Sequence, residues 1–241
     1  MNIKSIIKKL LLRYGYEVSR SMDQFSVLNE FNVDVVFDVG ANDGQFGQAL
    51  RARGYKNKIV SFEPLSSAYK RLVKIAKKDK FWDVHPQAAM GSHPDRMSIN
   101  IANNSQSSSI KKMLDIHVSY APDSSIIGVE EVNVTTLDEC FHKYASSSNL
   151  TYLKIDTQGY EMEVLKGAKN VIVDIDILEM EMSTVDLYEG GSNFIELFEF
   201  AQKNDFILWG LSPAFVDGSS KRLLQFDAIF VRNKLINTKA I

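Results

Sequence analysis

The chain has 241 residues, 45% hydrophobic and 24% charged, and 28 Lys and Arg against 30 Asp and Glu give a net charge of −2. That balance excludes disorder, a collagen-like repeat and a coiled coil, and it is ample for a sizeable core. One cysteine excludes an internal disulfide and a CxxC zinc site, and no apolar run approaches the roughly 18–20 residues that span a bilayer. The near-neutral charge argues against a nucleic-acid partner. Residues 1–20 are locally basic: Lys4, Lys8, Lys9, Arg13 and Arg20 stand against Glu17, so this stretch is +4 and the rest −6. Ile3, Ile6, Ile7, Leu10, Leu11 and Tyr14 share one helical face. The simpler reading is a helix that caps the domain; the sharper one is peripheral contact with a membrane surface or a partner. No secretory signal is legible, and the expected compartment is the cytoplasm.

From residue 33 onward, β-branched apolar runs alternate with amphipathic stretches. Residues 33–39 read as a buried strand, followed by a helix with Phe46, Ala49 and Leu50 inward and Gly54 as its stop. Residues 58–63 form a second strand. Tyr69, Leu72, Val73 and Ala76 mark a helix whose other face is a solvated lysine run. Residues 81–90 read as a third strand. In 92–128, twelve positions are Ser or Asn, which predicts a long loop with short strand pieces, of the kind that forms lids or binding segments. A strand at 129–134 leads to a capping box of Thr136 and Glu139. The helix it opens turns Leu137, Cys140, Phe141 and Tyr144 inward, so Cys140 faces the core. A strand at 150–156, a helix at 160–166 capped by Gly167, a strand at 174–182 and a helix carrying Phe194, Leu197, Phe198 and Ala201 follow. The last two strands, 206–211 and 224–231, have no helix between them and must pair antiparallel. The expectation is an α/β domain over 33–232, a lead-in at 1–32 and a tail at 233–241.

The segment Phe37-Asp38-Val39-Gly40-Ala41-Asn42-Asp43-Gly44 joins the first strand to the first helix of this domain, where open α/β sheets bind ligands. Gly40 permits a turn and a close approach, and Gly44 sits where the helix begins. Glu63 ends the second strand, 23 residues beyond Gly40, a spacing suited to a carboxylate on two ribose hydroxyls. Asn42 occupies the place of a middle glycine, and Asp38 would repel a pyrophosphate. S-adenosylmethionine, cationic and without phosphate, fits Asp38 better than NAD.

A second motif, Lys154-Ile155-Asp156-Thr157-Gln158-Gly159-Tyr160-Glu161, follows the strand at 150–156 and sends Asp156 toward the same crevice. Here the sequence resembles the FkbM family of S-adenosylmethionine-dependent methyltransferases. The matching runs are FDVGANDGQF (37–46), FEP (62–64), SSSI (107–110), VTTLDE (134–139), YLKIDTQGYEMEVLKGA (152–168), EMEMSTVDLYEG (179–190) and LQFDAIFVR (224–232). Gln87 stands where Asn is commoner in the family. The resemblance implies the Rossmann-like class I methyltransferase fold, a mostly parallel seven-stranded sheet with a C-terminal antiparallel hairpin. It also implies methyl transfer to a hydroxyl of a sugar, glycan or natural product. Asp38, Gly40, Asn42, Gly44, Glu63, Pro64 and Asp156 are then the expected cofactor contacts.

A sugar hydroxyl is a poor nucleophile, so a base or a metal usually assists. The candidates are Asp156, Glu161, Glu179 and Glu181. Glu179 and Glu181 share one side of their strand, facing either the crevice or a buried pair with Lys154. Glu161 sits in a first helical turn, where a carboxylate is favourable without any catalytic role. Mg²⁺ held by Asp156 with Glu179 or Glu181 is the metal version. On the acceptor side the candidates are His93, His117 and Ser108 of the polar segment, with Tyr160 and Tyr188 as stacking surfaces for a sugar ring. Two other classes stay open: an NAD-dependent sugar oxidoreductase or epimerase, and a non-catalytic nucleoside-binding module.

Overall fold

The computed structural model describes residues 23–237, together with residues 5, 6, 10 and 13. Ser5, Ile6, Leu10 and Arg13 are helical and exposed. The rest of the predicted amino-terminal helix, and with it the reading of membrane or partner contact, lies outside the described residues.

In chain order the elements are α1 (Gln24–Phe31), β1 (Val35–Val39), α2 (Gln45–Ala52), β2 (Lys58–Phe62), α3 (Ser66–Ala76) and β3 (Trp82–Val84). Next come β4 (Ala89–Met90), β5 (Asp95–Ala102), α4 (Asp115–Tyr120), β6 (Ile126–Thr135), α5 (Leu137–Tyr144) and β7 (Thr151–Ile155). The chain closes with α6 (Glu161–Lys166), β8 (Ile177–Ser183), α7 (Phe194–Lys203), β9 (Phe206–Val216), β10 (Leu223–Arg232) and α8 (Asn233–Asn237). Seven strands form one sheet in the order β3-β2-β1-β7-β8-β10-β9. Neighbours are parallel except at β10, which inserts antiparallel between β8 and β9. This order with one reversed strand is the expected Rossmann-like class I methyltransferase fold. Among the described residues no helix is long and apolar enough to cross a membrane.

Alternation along the strands divides the core into two layers. Val35, Phe37 and Val39 of β1 pack with Phe141 of α5, Leu165 of α6 and Leu197 of α7. Val36 of β1 and Tyr152 of β7 turn the other way, toward Leu28 of α1, Leu50 of α2 and Leu72 of α3. Phe37 and Tyr152 are fully buried, and each such side chain contributes about 1.5–3 kcal/mol by leaving water. The second layer carries Asp38 and Lys154 near the carboxyl ends of β1 and β7, which places the site.

Several predicted elements differ. The strand expected over 81–90 breaks, because Pro86 has no N–H to continue a ladder. β3 stays on the large sheet, while β4 joins a three-stranded sheet of order β4-β6-β5. The stretch 92–128 is not one long loop, since it carries the eight-residue strand β5, the helix α4 and the start of β6. Its strands hid because one face is wet; in β5 only Ile99 and Ala102 are buried, against the satellite clusters beside α3 and the 187–188 turn. Ala49 is exposed, and Gly47 takes its expected place in α2, where a Cβ would stand 2.3 Å from the Trp82 ring. Only half of the capping box forms: Thr136 Oγ1 accepts from the Glu139 N–H, but the Glu139 carboxylate turns to the Thr135 hydroxyl. Residues 233–237 are not a free tail, since Leu235 and Ile236 of α8 pack on the second core layer.

Candidate active site

Strand register aligns Asp38 with Lys154, and Lys154 with Glu179, in a charged row across β1, β7 and β8. Trp82 Nε1 donates to Ser61 Oγ at 3.0 Å, and Ser61 Oγ donates to Asp38 Oδ2 at 3.3 Å. Lys154 Nζ lies 3.0 Å from Asp156 Oδ2 and 3.9 Å from Asp38 Oδ1. Burial pushes the Asp38 carboxyl up to about 6, with Lys154 opposing. Burial works against the Lys154 ammonium too, yet Asp156, Asp38 and Glu179 together hold it well above the usual lysine value. Asp38 Oδ1 is buried and accepts no hydrogen bond among the described residues.

These groups open onto a cavity of about 480 Å³ at the carboxyl ends of β1, β2 and β7. Gly40 turns the loop after β1 at φ +84°, and a Cβ on it would stand 1.9 Å from the Asp156 carbonyl oxygen. Its small size therefore serves the packing of two site loops, not only a ligand's approach. Gly44 caps α2 at φ +79° without lining the cavity. Glu63 is held at the rim by two backbone N–H groups. Its Oε2 accepts from the Asn42 N–H and its Oε1 from the Leu65 N–H, both at 2.8 Å. Burial raises it to about 7. Asn42 and Pro64 also line the cavity, and Gln87 Nε2 donates to the Pro64 carbonyl at 2.7 Å, so Gln87 braces this edge from behind.

The far wall comes from residues 104–110, with Tyr160, His117 and Phe215. Ser108 lies on it with its Oγ accepting from the Ala102 N–H. Asp156 and Glu181 line the same cavity. Gln158 Nε2 donates to Asp156 Oδ1 at 2.8 Å and to Glu181 Oε2 at 2.6 Å, and Gln225 Nε2 donates to the same Oε2 at 2.8 Å. Glu181 Oε1 accepts no hydrogen bond among the described residues. Burial, then Asp156, Glu161 and Asp227, push the Glu181 carboxyl well up. Burial lowers the His117 pKa, and its Nδ1 is buried with no hydrogen-bond partner among the described residues.

The expected set is therefore partly assembled. Glu179 does not reach the cavity: it accepts from Tyr152 Oη at 2.5 Å and Gln24 Nε2 at 2.6 Å, so it anchors α1 to the sheet. Glu161 braces the motif loop instead, its Oε1 accepting from the N–H groups of Thr157 and Gly159. Tyr188 is buried behind Gln158 and cannot stack on an acceptor ring from the cavity side. His93 is exposed beside Asp95, away from the cavity. The metal set also fails. Among the described residues no three His, Cys, Asp or Glu side chains converge to hold an ion, and the Gln158 amide occupies the space between Asp156 and Glu181. Gln158, Gln225 and Ser105 were missed. Gln158 lies inside the second motif, and Gln225 shares a face of β10 with Asp227, the cross-strand partner of Glu181, so it reaches Glu181 diagonally; motif and alternation could have flagged both.

No curated protein matches the chain. It is similar to the solved structure of a TehB-like SAM-dependent methyltransferase from Corynebacterium glutamicum, with 11% identity, 95% of this chain and 96% of that one covered, and a TM-score of 0.40. It is also similar to M. capricolum TrmK in complex with S-adenosyl-homocysteine (12% identity, 88% and 70% covered, TM-score 0.48). A third is precorrin-6y C5,15-methyltransferase from Geobacter metallireducens (9% identity, 90% and 94% covered, TM-score 0.44). The family model of the methyltransferase FkbM domain matches residues 38–208, from the first site acid to β9 and well over half of the sequence. The chain is a methyltransferase and belongs to the FkbM family.

Proposed function

We propose that this methyltransferase uses S-adenosylmethionine and transfers its methyl group to a hydroxyl of a sugar, glycan or related small polar molecule. The observation that carries the cofactor is Glu63. Two backbone N–H groups fix its carboxylate, and each oxygen keeps a further acceptor position for a ribose hydroxyl. The orphaned Asp38 Oδ1 suits a cationic methionine moiety, and the same acid argues against a pyrophosphate.

When bound, S-adenosylmethionine supplies a methyl group already activated by a positive sulfonium. The protein's task is alignment and proton removal. Asp156, held by Lys154 and Gln158, accepts a hydrogen bond from the acceptor. Glu181 Oε1 takes the hydroxyl proton as the oxygen–carbon bond forms and the carbon–sulfur bond breaks. The hydroxyl and amide groups of residues 104–109 hydrogen-bond the remaining hydroxyls, and the bound acceptor displaces water from this wall. A hydroxyl acceptor is supported by these polar groups sharing one cavity with a carboxylate that has one oxygen free of hydrogen bonds among the described residues.

Calorimetry with S-adenosylmethionine and with NAD tests the cofactor, and the expected result is binding of the first alone. Transfer of labelled methyl to methyl α-D-glucopyranoside, methyl α-L-rhamnopyranoside and methyl α-L-fucopyranoside tests the acceptor class. NAD binding without S-adenosylmethionine binding would overturn the reading.

A further inference from the structure

We infer that Gln158 is a positioning residue that sets the Asp156 and Glu181 carboxylates against the acceptor hydroxyl. The inference rests on the hydroxyl-methylation reading above. One amide nitrogen has two hydrogens, and each has a carboxylate: Asp156 Oδ1 at 2.8 Å and Glu181 Oε2 at 2.6 Å. Two acids that would otherwise repel are thereby bridged by one neutral group. The amide cannot turn over, because that would aim its oxygen at both carboxylates. Tyr188 Oη adds a lock, lying 2.8 Å from Gln158 Oε1, and Ser109 Oγ donates to the Gln158 carbonyl at 2.7 Å.

The backbone supports this role. Gln158 lies at φ +55°, in the left-handed region, directly before Gly159 at φ +92°. Glycine would adopt that conformation with less strain. The side chain's own bonds offset that strain.

The consequence is chemical. Gln158 and Gln225 both occupy Glu181 Oε2, which leaves Oε1 of this cavity-lining residue without a hydrogen bond among the described residues and available to the acceptor. Donation to a carboxylate favours its ionised form, the form that can take a proton. It acts against burial and the charges of Asp156 just after β7, Glu161 on α6 and Asp227 on β10, while Lys154 on β7 assists. Tyr188 also faces Glu181, from the loop after β8.

The test is a pH titration of ¹³C-labelled glutamate carboxyls by NMR, with the Glu181 signal assigned from Glu181→Gln. Gln158→Met removes both donors at similar volume. Gln158→Asn accepts the left-handed backbone readily and so keeps the fold, but its amide is one methylene short of Glu181. Both variants should raise the Glu181 midpoint by about one pH unit, the effect of losing one charge-assisted hydrogen bond. The acid limb of kcat/KM for the best of the three methyl glycosides should move by the same amount. An unmoved midpoint in both variants, or a loss of rate equal at every pH, overturns the inference. If wild type binds no S-adenosylmethionine, the methylation reading fails, and the catalytic role of Gln158 fails with it even where the midpoints shift.

Discussion

The carbonyl oxygen of Asp156 lies 1.9 Å from the point where a Cβ on Gly40 would stand. The two site loops are thus joined backbone to backbone, and the Asp156 N–H donates to the Val39 carbonyl at 3.0 Å. Gly40→Ala must push these loops apart and adopt φ +84°. Left-handed alanine and overpacking together cost on the order of 2–5 kcal/mol. For a chain of this size that lowers the melting temperature by roughly 4–20 °C. Because Asp38 and Asp156 move apart as well, cofactor affinity should fall with stability. A thermal melt with and without S-adenosylmethionine checks both, and a variant as stable as wild type would sink the packing argument.

Glu63 gives a pH prediction for binding. Its carboxyl titrates at about 7 and that of Asp38 at about 6, both raised first by burial. The ionised forms accept hydroxyls and face a cation, so affinity for S-adenosylmethionine should rise between pH 6 and pH 8. Glu63→Gln sets an amide N–H against the Asn42 or Leu65 N–H and removes the charge. A loss of about 10- to 100-fold in affinity is expected, with a flatter pH dependence. Calorimetry at the two pH values measures both, and an unchanged affinity would remove Glu63 from the cofactor site.

The same residues mark how far the sequence could be read. Asp38, Gly40 and Glu63 announced themselves because glycine geometry and strand-end acids follow short-range rules. The reversed last strand also followed, from the missing helix between β9 and β10. The separate destinations of Glu179 and Glu181 did not. Both share one face of β8, as alternation requires, but two residues of rise carry one into the cavity and leave the other under Tyr152 and Gln24. That difference depends on α1, 155 positions away in sequence from its contact. Glu161 misled for a local reason, since a first-turn carboxylate suits a helix dipole and a loop brace equally well.

Glu179 supplies a stability prediction. Burial raises Glu63, Glu161 and Glu179 to about 7, and Asp38 and Asp227 to about 6. Between roughly pH 4.5 and 7 the folded chain keeps protons that the unfolded chain has released, so these groups make stability fall as pH rises across that window. His85 and His117, whose pKa values are lowered by burial, act in the opposite sense but are fewer. The urea midpoint should therefore be higher at pH 5 than at pH 7.5. Glu179→Gln keeps an oxygen for Tyr152, and the Gln24 amide can turn over to meet the new N–H. It should flatten this pH dependence while methyl transfer stays near the wild-type rate. A collapse of turnover in a folded Glu179→Gln protein would return Glu179 to the catalytic set.

The cavity also predicts which acceptors are refused. Among the described residues its charged lining is Asp38, Glu63, Asp156 and Glu181 against Lys154 alone, and Lys154 is already engaged by Asp156. A phosphate group about 7 Å from an uncompensated carboxylate meets a repulsion of about 2 kcal/mol at an effective dielectric near 20. That corresponds to a factor of about 30. Methyl α-D-glucopyranoside should accordingly be preferred to its 6-phosphate by about that ratio in kcat/KM, with the gap narrowing as salt screens the charges. Turnover of the phosphate ester at an equal or higher rate would mean that a cation outside this lining meets the acceptor, and the acidic-wall account of specificity would have to be abandoned.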